Sequence, residues 1–376
     1  MDMGSSNVMA FSLGAAQGRR WFVLGIAATL LASCATGPRP GPGPIDGGRT
    51  NRVAVLVPLS GPDAAVGRAL GQAARLAMFD TGSKAFELTV YDTGEAGAVA
   101  AANRALGAGN DLILGPLRAD DVRAVAPLTQ RARVPVIAFS NDADIAASGV
   151  YVLGFTPSQA VARVVGQAAA TGSRRFAAVV PASTYGQRSA RAMSVAVQRA
   201  GGQVVGVETY DRPENARAAA QRLASRGYDA VLLADSGRPV ALAAQGVRPG
   251  ARILGTELWA SANLGSVPRL RGAWYAAPTQ GQWGQFVGRY KARYSGQTPP
   301  RIASLGYDAV LLGVRAARGW QPGRRFPLGA IDDREGFAGV DGIFRFGPDN
   351  VAERAFEVRQ VTAGGSSLVS PAPTRF

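Results

Sequence analysis

The side chains able to perform chemistry are few in this 376-residue chain, which contains no histidine and a single cysteine, Cys34. Without histidine there is no imidazole base or His-ligated zinc, and one cysteine excludes intrachain disulfides and Cys-rich metal sites. Acidic groups occur at 120–121, 142–144 and 332–335. We assign them to helix capping and solvation, because they fall in loops and at predicted helix starts.

Motifs for covalent or cofactor chemistry are also missing from the sequence. It contains no phosphate-binding loop, dinucleotide fingerprint or nucleophile elbow, and neither Lys84 nor Lys291 follows a serine by three residues. We therefore predict a non-catalytic protein that holds no metal and no cofactor.

The charge is strongly basic, with 41 Lys and Arg against 26 Asp and Glu and a formal net charge of +15. Such an excess is typical of proteins with polyanionic partners. Here almost all of it is arginine, scattered singly through Ala-rich segments rather than gathered in an arm or stripe. This spread favours a solvated surface and no nucleic-acid partner, while attraction to anionic envelope polymers stays open.

The first residues have the layout of an export signal. Arg19 and Arg20 precede an apolar run that is too short to span a bilayer and ends in Leu31-Ala32-Ser33-Cys34. This ending resembles the bacterial lipobox, in which the cysteine is lipidated and becomes the mature N-terminus. The sequence thus predicts a lipoprotein signal peptide over 1–33, lipidation of Cys34, and attachment to a membrane through the N-terminal lipid.

Two further details concern the export route of the protein and the membrane in which it is anchored. The segment from Arg19 to Val23 resembles a twin-arginine export motif, so general and twin-arginine export both stay open. Ala35 follows the cysteine, where an Asp would resemble an inner-membrane retention signal, and this favours the outer membrane, with the domain facing the periplasm. Residues 34–51 are rich in Pro and Gly and predict a flexible tether.

From Arg52 onwards, apolar strand-like runs alternate with helical patterns. The run at 53–57 predicts a buried parallel strand, and two series of such alternation predict βαβ units in two lobes. We expect the first lobe at 52–148 plus 275–335 and the second at 149–274 plus 336–376. The segments 339–346 and 356–361, which alternate with period two around Gly347-Pro348-Asp349-Asn350, predict a C-terminal β-hairpin.

One heptapeptide, Gly-Tyr-Asp-Ala-Val-Leu-Leu, occurs at 227–233 and again at 306–312. The first copy follows a helix-ending Arg-Gly and predicts a strand. The second lies within 302–318, where apolar residues recur at helical spacing, and predicts a helix. The two copies therefore do not indicate an internal repeat.

Parallel α/β sheets bind ligands beyond the carboxyl ends of their strands. The loops predicted there offer hydroxyls, backbone N–H groups, an arginine and a tyrosine, which together could hold a small polar molecule. The candidate ligand-binding residues in these loops are Ser60, Arg118, Ser140, Asn141, Tyr185, Asp235 and Ser236.

Several motifs resemble those of the type I periplasmic binding proteins of the leucine/isoleucine/valine-binding group. They are Val-Ala-Val-Leu-Val-Pro-Leu-Ser-Gly-Pro at 53–62, Asp-Leu-Ile-Leu-Gly-Pro-Leu at 111–117, Val-Pro-Val-Ile-Ala-Phe-Ser-Asn at 134–141, Thr-Tyr-Gly at 184–186 and Gly-Tyr-Asp-Ala-Val at 306–310. The resemblance implies an α/β, two-lobed fold in which each lobe is a parallel sheet flanked by helices.

The resemblance also implies roles for single residues. Ser140 matches a hydroxyl that holds the ligand carboxylate, Tyr185 matches an aromatic residue near its ammonium, and Asp235 is a loose match for the acid there. The loop after the third strand departs from the pattern, because Arg118 and its neighbours supply no Ser or Thr. Arg118 could replace that hydroxyl by pairing with a carboxylate or phosphate.

Two functional interpretations follow. The lipobox, the tether, the Phe-Ser-Asn-Asp loop and the Gly-Val-Asp-Gly-Ile-Phe-Arg-Phe segment also resemble the penicillin-binding-protein activator lipoproteins, which implies a peptidoglycan synthase as partner. The alternative is a receptor that delivers an amino acid or related small polar ligand to the permease of an ABC importer. The lipidation signal and the missing hydroxyl favour the activator.

Overall fold

The computed structural model describes residues 50–376. The predicted signal peptide, Cys34 and nearly all of the predicted tether lie outside the described residues. Within the described part of the chain, no helix has both the length and the apolar character needed to cross a membrane.

The first lobe is built on a five-stranded sheet in the order β2-β1-β3-β4-β5, with all strands parallel. Its central strand is the predicted apolar run, fully buried from Val53 to Val57 because helices cover both faces of the sheet. The elements are β1 (Asn51–Val57), α1 (Ala64–Thr81), β2 (Phe86–Asp92), α2 (Gly97–Gly107), β3 (Leu112–Leu114), α3 (Ala119–Ala132), β4 (Val136–Ala138) and β5 (Val150–Val152).

The second lobe repeats this pattern with a larger, mixed sheet. Five parallel strands, in the order β10-β9-β8-β6-β7, form its main part. The elements are α4 (Pro157–Ala170), β6 (Arg175–Pro181), α5 (Thr184–Arg199), β7 (Gln203–Tyr210), α6 (Ala216–Leu223), β8 (Ala230–Leu233), α7 (Gly237–Gly246), β9 (Arg252–Gly255) and β10 (Trp274–Ala277).

After β10 the chain returns to the first lobe. Helix α9 packs on α1 so closely that a Cβ at Gly306 would lie 2.3 Å from the Leu70 carbonyl oxygen. The remaining elements are α8 (Trp283–Arg293), α9 (Ala303–Ala316), β11 (Phe337–Gly339), β12 (Gly342–Phe346), β13 (Ala352–Arg354), β14 (Glu357–Thr362) and β15 (Gly365–Ser370). The two-lobed α/β fold predicted from the sequence is confirmed.

The lobes are joined by crossings that follow β5, β10 and β13, and these differ from the predicted boundaries. Strand β5 pairs with β4, so the first-lobe sheet continues beyond residue 148. Strands β11 to β13 form a small antiparallel sheet whose Phe337 and Phe344 belong to the first-lobe core. Residues 336–354 were predicted in the second lobe, but their apolar face is buried against the first.

The C-terminal antiparallel strands are present, with a different pairing from the one predicted. Across the turn at 347–350, β12 pairs with the short strand β13. The segment predicted to pair with β12 is β14, and it pairs instead with β10 and β15 in the second-lobe sheet. Sequence alternation identified the strands, but their partners depend on which sheet edge lies nearest in space.

Candidate functional site

A cavity of about 390 Å³ lies between the two lobes, beside the crossings. The first lobe contributes the residues that follow β3 and β4 and the start of α9, and the second contributes the segment after β9. The lining residues are Leu117, Phe139, Asn141, Phe155, Glu257, Leu258, Ser261, Pro278, Pro300, Arg301, Ile302 and Leu305.

Most of this lining is apolar, so the few polar groups in it decide what the cavity can hold. Asn141 extends from the first lobe, and Glu257 and Ser261 extend from the second. Strands β3 and β4 are buried along their whole length, and they place the loops that follow them at the carboxyl edge of the sheet.

Glu257 is the most unusual of these groups. It begins the short 3-10 helix Glu257–Ser261 directly beyond β9, and its side chain is buried, with 9% of the residue exposed. The Tyr185 hydroxyl donates to Oε1 at 3.0 Å and forms a second hydrogen bond with the Thr256 hydroxyl at 2.8 Å. The other carboxyl oxygen, Oε2, is buried and has no hydrogen-bond partner.

Burial dominates the acid–base properties of this pair. It raises the pKa of the Glu257 carboxyl to about 7, and hydrogen bonds from the Glu257 backbone N–H and from Tyr185 oppose this only partly. Burial, reinforced by the neighbouring Glu257 charge, also holds the pKa of the Tyr185 hydroxyl well above its usual range. Tyr185 therefore stays protonated and acts as a fixed donor.

Arg301 also lines the cavity, but its charge is already paired. Its Nε and Nη2 atoms lie 2.6 and 2.5 Å from Asp341 Oδ1, and Nη2 donates to the Thr279 carbonyl oxygen at 2.7 Å. Its guanidinium stacks on Trp283 at 4.4 Å. Among the described residues that line the cavity, Glu257 is thus the ionisable group without an ion-pair partner.

The structure places some of the residues predicted for the site at the cavity and others away from it. Asn141 lines it, and Tyr185 stands directly behind Glu257. Ser140 is buried, and its hydroxyl accepts the Asp142 backbone N–H at 3.2 Å. These three residues therefore lie at or just behind the walls of one cavity.

The remaining predicted residues have other contacts. Ser60 donates to Asp92 at 3.0 Å, and Arg118, more than half exposed, pairs with Asp63 at 3.0 Å. Neither is among the lining residues.

Asp235 and Ser236 follow β8 rather than β9. The Asp235 carboxylate accepts the Tyr210 hydroxyl and the Ser236 backbone N–H. Sequence reasoning chose Asp235 as the acid and missed Glu257, although the position of Glu257 just beyond a buried strand was a signal that could have found it.

The two lobes, the three crossings that join them and the cavity between them define the class: a domain of the type I periplasmic binding fold. The chain belongs to the periplasmic binding protein family, whose family profile matches residues 50–366. Membership places the protein in the periplasm or the cell envelope.

Solved structures show the same fold. A putative branched-chain amino acid ABC transporter protein from Rhodospirillum rubrum is 21% identical with a TM-score of 0.76, over 85% of this chain and all of that one. A leucine-binding protein from Thermotoga maritima is 21% identical with a TM-score of 0.64, over 86% and 99%.

A curated relative, an uncharacterised protein of Rickettsia prowazekii, is 23% identical over 190 residues, which are 50% of this chain. The chain spans about half the length of this relative, 51%.

Proposed function

We propose that this protein is the substrate-binding receptor of an ABC importer, and that its ligand is a small, largely apolar molecule with an ammonium group, such as an apolar amino acid. The observation that carries the proposal is the buried carboxyl group of Glu257, which belongs to the lining of an apolar cavity between two lobes and has one oxygen without a hydrogen-bond partner. A cavity of about 390 Å³ falls within the range of roughly 300–1,000 Å³ typical of small-molecule sites.

The ammonium follows from the electrostatics of the buried carboxylate. An ionised carboxylate without a partner is unfavourable in an apolar environment, and an ammonium would supply both the counter-charge and the missing hydrogen bond. Across the cavity, the Asn141 side-chain amide can donate to a ligand carboxylate. Together the two lobes offer complementary partners for a zwitterion with an apolar side chain.

The comparisons favour the importer interpretation over the activator interpretation. The similar solved structures described above are a putative branched-chain amino acid ABC transporter protein and a leucine-binding protein. The segment that suggested an activator, 339–346, forms the end of β11, the turn after it and β12, and its Phe344 and Phe346 are buried in the first-lobe core. Packing accounts for those residues without a partner protein.

Thermal unfolding of the full-length protein with L-leucine, L-isoleucine and L-phenylalanine tests the proposal. We expect at least one of them to stabilise the protein, by about 2.7 kcal/mol at a hundredfold excess over its dissociation constant. The amine analogue that lacks the carboxylate should retain part of the effect, whereas the acid analogue that lacks the ammonium should lose it.

Two variants locate the site. Glu257→Gln should abolish the stabilisation by the amino acid, because the amide carries no charge to balance the ammonium. Arg118→Ala is the matched control, since Arg118 pairs with Asp63 outside the cavity lining. The opposite outcome, with binding lost in Arg118→Ala and kept in Glu257→Gln, would return the site to the arginine proposed from the sequence.

If no amino acid or analogue binds, and the protein instead accelerates polymerisation by a peptidoglycan synthase, the importer proposal is overturned in favour of the activator. We expect no acceleration.

We also propose that Cys34 is lipidated and anchors the domain to the outer membrane. The lipobox-like sequence before Cys34 supports this, and Cys34 lies outside the described residues. Fractionation of cells that express Cys34→Ala should find the protein released from the membrane. Unchanged membrane association would refute lipid anchoring at this residue.

A further inference from the structure

An ion pair joins the two lobes away from the crossings. Arg188, on helix α5 of the second lobe, places Nη2 at 2.6 Å from Asp142 Oδ1 and 3.7 Å from Asp144 Oδ2, both in the loop after β4 of the first lobe. The other polar contacts between the lobes in the described part of the chain lie at or next to the crossings, as with the Arg354 backbone N–H and Gln159 Oε1 on α4.

The first-lobe end of this ion pair is firmly held. The Asp142 side chain is 2% exposed, and Arg123 of the same lobe binds its other oxygen at 2.7 Å. The Asp144 backbone N–H donates to Asp142 Oδ1 at 3.0 Å. The carboxylate therefore keeps its position, and it offers a fixed acceptor to the second lobe.

The second-lobe end belongs to the helix that also supports the cavity. Arg188 follows Tyr185 by three residues, so both side chains lie on one side of α5. Tyr185 orients Glu257, and Asn141, which lines the cavity, immediately precedes Asp142. The ion pair thus joins the loop that carries Asn141 to the helix whose Tyr185 binds Glu257.

We propose that the pair Arg188–Asp142 is an interlobe clamp that holds the cleft in its closed arrangement, with Arg188 as a positioning residue for ligand binding. This rests on the proposed function in one respect, that closure serves to retain a ligand. The physical basis is that a bond made only when the lobes are closed shifts the population towards the closed state. Arg188 is largely buried, with 19% of its side chain exposed, so salt screens this attraction less than it screens a surface pair.

The test measures the distance between the lobes without any ligand. Nitroxide labels at Lys84→Cys in the first lobe and Arg217→Cys in the second, in a Cys34→Ser background, report this distance by pulsed electron paramagnetic resonance on the full-length chain. Both label positions are exposed. We expect Arg188→Ala to shift the distance distribution towards longer values and to broaden it.

The matched control is Arg123→Ala, which removes the other arginine from the same carboxylate. Both variants lose one charge and one ion pair to Asp142, but Arg123 makes its contacts within the first lobe. Arg123→Ala should therefore leave the distance distribution unchanged, and Arg188→Lys should restore part of the short distances that Arg188→Ala loses. Circular dichroism confirms that each variant is folded.

An unchanged distribution in Arg188→Ala, or an equal shift in Arg123→Ala, would overturn the clamp. Neither result depends on a ligand. Failure of the clamp is therefore distinguishable from failure of the importer proposal, which the amino-acid series decides.

Discussion

At the scale of single residues, Glu257 combines a structural cost with the binding role proposed for it above. Its carboxyl group sits in the cavity wall with one oxygen bonded to Tyr185 and the other unpartnered. Burying such a carboxyl group is unfavourable when it is ionised and has no counter-charge. Its ionised form becomes favourable when a cation pairs with it. Under the proposed function, the same burial that weakens the unliganded protein at neutral pH is what selects a cationic group in the cavity.

Stability should depend on pH through this carboxyl group. Burial raises its pKa to about 7, whereas the unfolded value is about 4.3. The folded state holds the proton more tightly, so the contribution to stability is complete below the unfolded value and is lost as pH rises through about 7. Relative to wild type, Glu257→Gln should gain about 1–3 kcal/mol in unfolding free energy between pH 5 and pH 8.

Urea denaturation of both proteins at these pH values measures the gain. Asp308, whose pKa is also raised to about 7 by burial, cancels in the comparison because both proteins contain it. A difference that stays constant from pH 5 to pH 8 would contradict the assignment. Binding of an ammonium ligand to wild type should tighten over the same interval, because the ligand needs the ionised carboxylate.

At the scale of elements, the repeated heptapeptide shows how its surroundings select structure. Residues 227–233 lead into strand β8, while 306–312 form part of helix α9, as predicted from the flanking pattern. Gly227 adopts a left-handed φ of 66° that ends the preceding helix, whereas Gly306 is helical and lies against α1. The same residue type thus ends one helix and permits the close packing of another.

The close packing of α9 on α1 predicts opposite effects for two glycine substitutions. Gly306→Ala would place a Cβ at 2.3 Å from the Leu70 carbonyl oxygen, so the helices must separate; we expect a loss of about 1–3 kcal/mol in unfolding free energy. Gly288→Ala, at an exposed position of α8 with no atom within 4 Å of the new Cβ, should be neutral or stabilising by up to about 1 kcal/mol. Chemical denaturation compares them, and equal effects would mean that the contact at Gly306 is unimportant.

At the scale of the whole molecule, a buried ionic cluster links the crossings. The Arg354 guanidinium packs between Phe155 and Phe344 at 4.6 and 5.0 Å and donates to the Leu153 carbonyl oxygen at 2.6 Å. Arg301 and Asp341 join it to the cavity wall and to the second crossing. Asp308, in α9, completes the cluster and accepts the Val340 backbone N–H at 2.8 Å.

Removal of one charge from this cluster should destabilise the protein strongly. Arg354→Met leaves two buried carboxylates, Asp308 and Asp341, with Arg301 as the remaining cation, and we expect a loss of about 3–5 kcal/mol in unfolding free energy. The double variant Arg354→Met/Asp308→Asn restores the charge balance and should recover part of this loss. Thermal or urea unfolding of wild type, the single variant and the double variant measures these changes in unfolding free energy. If the double variant is less stable than Arg354→Met, the charges at 308 and 354 are not coupled as described.

The alternation of strands and helices, and with it the two-lobed fold, could be predicted from the amino-acid sequence alone. The reason is that burial leaves local signatures: β1 is a continuous apolar run, and α9 has apolar residues at helical spacing. The sequence also located polar loops at the ends of strands, which included Asn141 and Tyr185 near the cavity. These features depend on residues that are close together in the sequence, so the spacing of apolar residues is enough to predict them.

Which strands pair and which side chains form hydrogen bonds depends on the tertiary structure. Asp235 and Glu257 each follow a buried parallel strand, and nothing local distinguishes them as the acid of a site. Only the packing shows that the Tyr210 hydroxyl and the Ser236 backbone N–H bind Asp235, while Glu257, in the cavity lining, keeps one oxygen unpartnered. The pairing of β12 with β13 and the bond from Arg188 to Asp142 are likewise contacts between segments whose distance the sequence pattern does not encode.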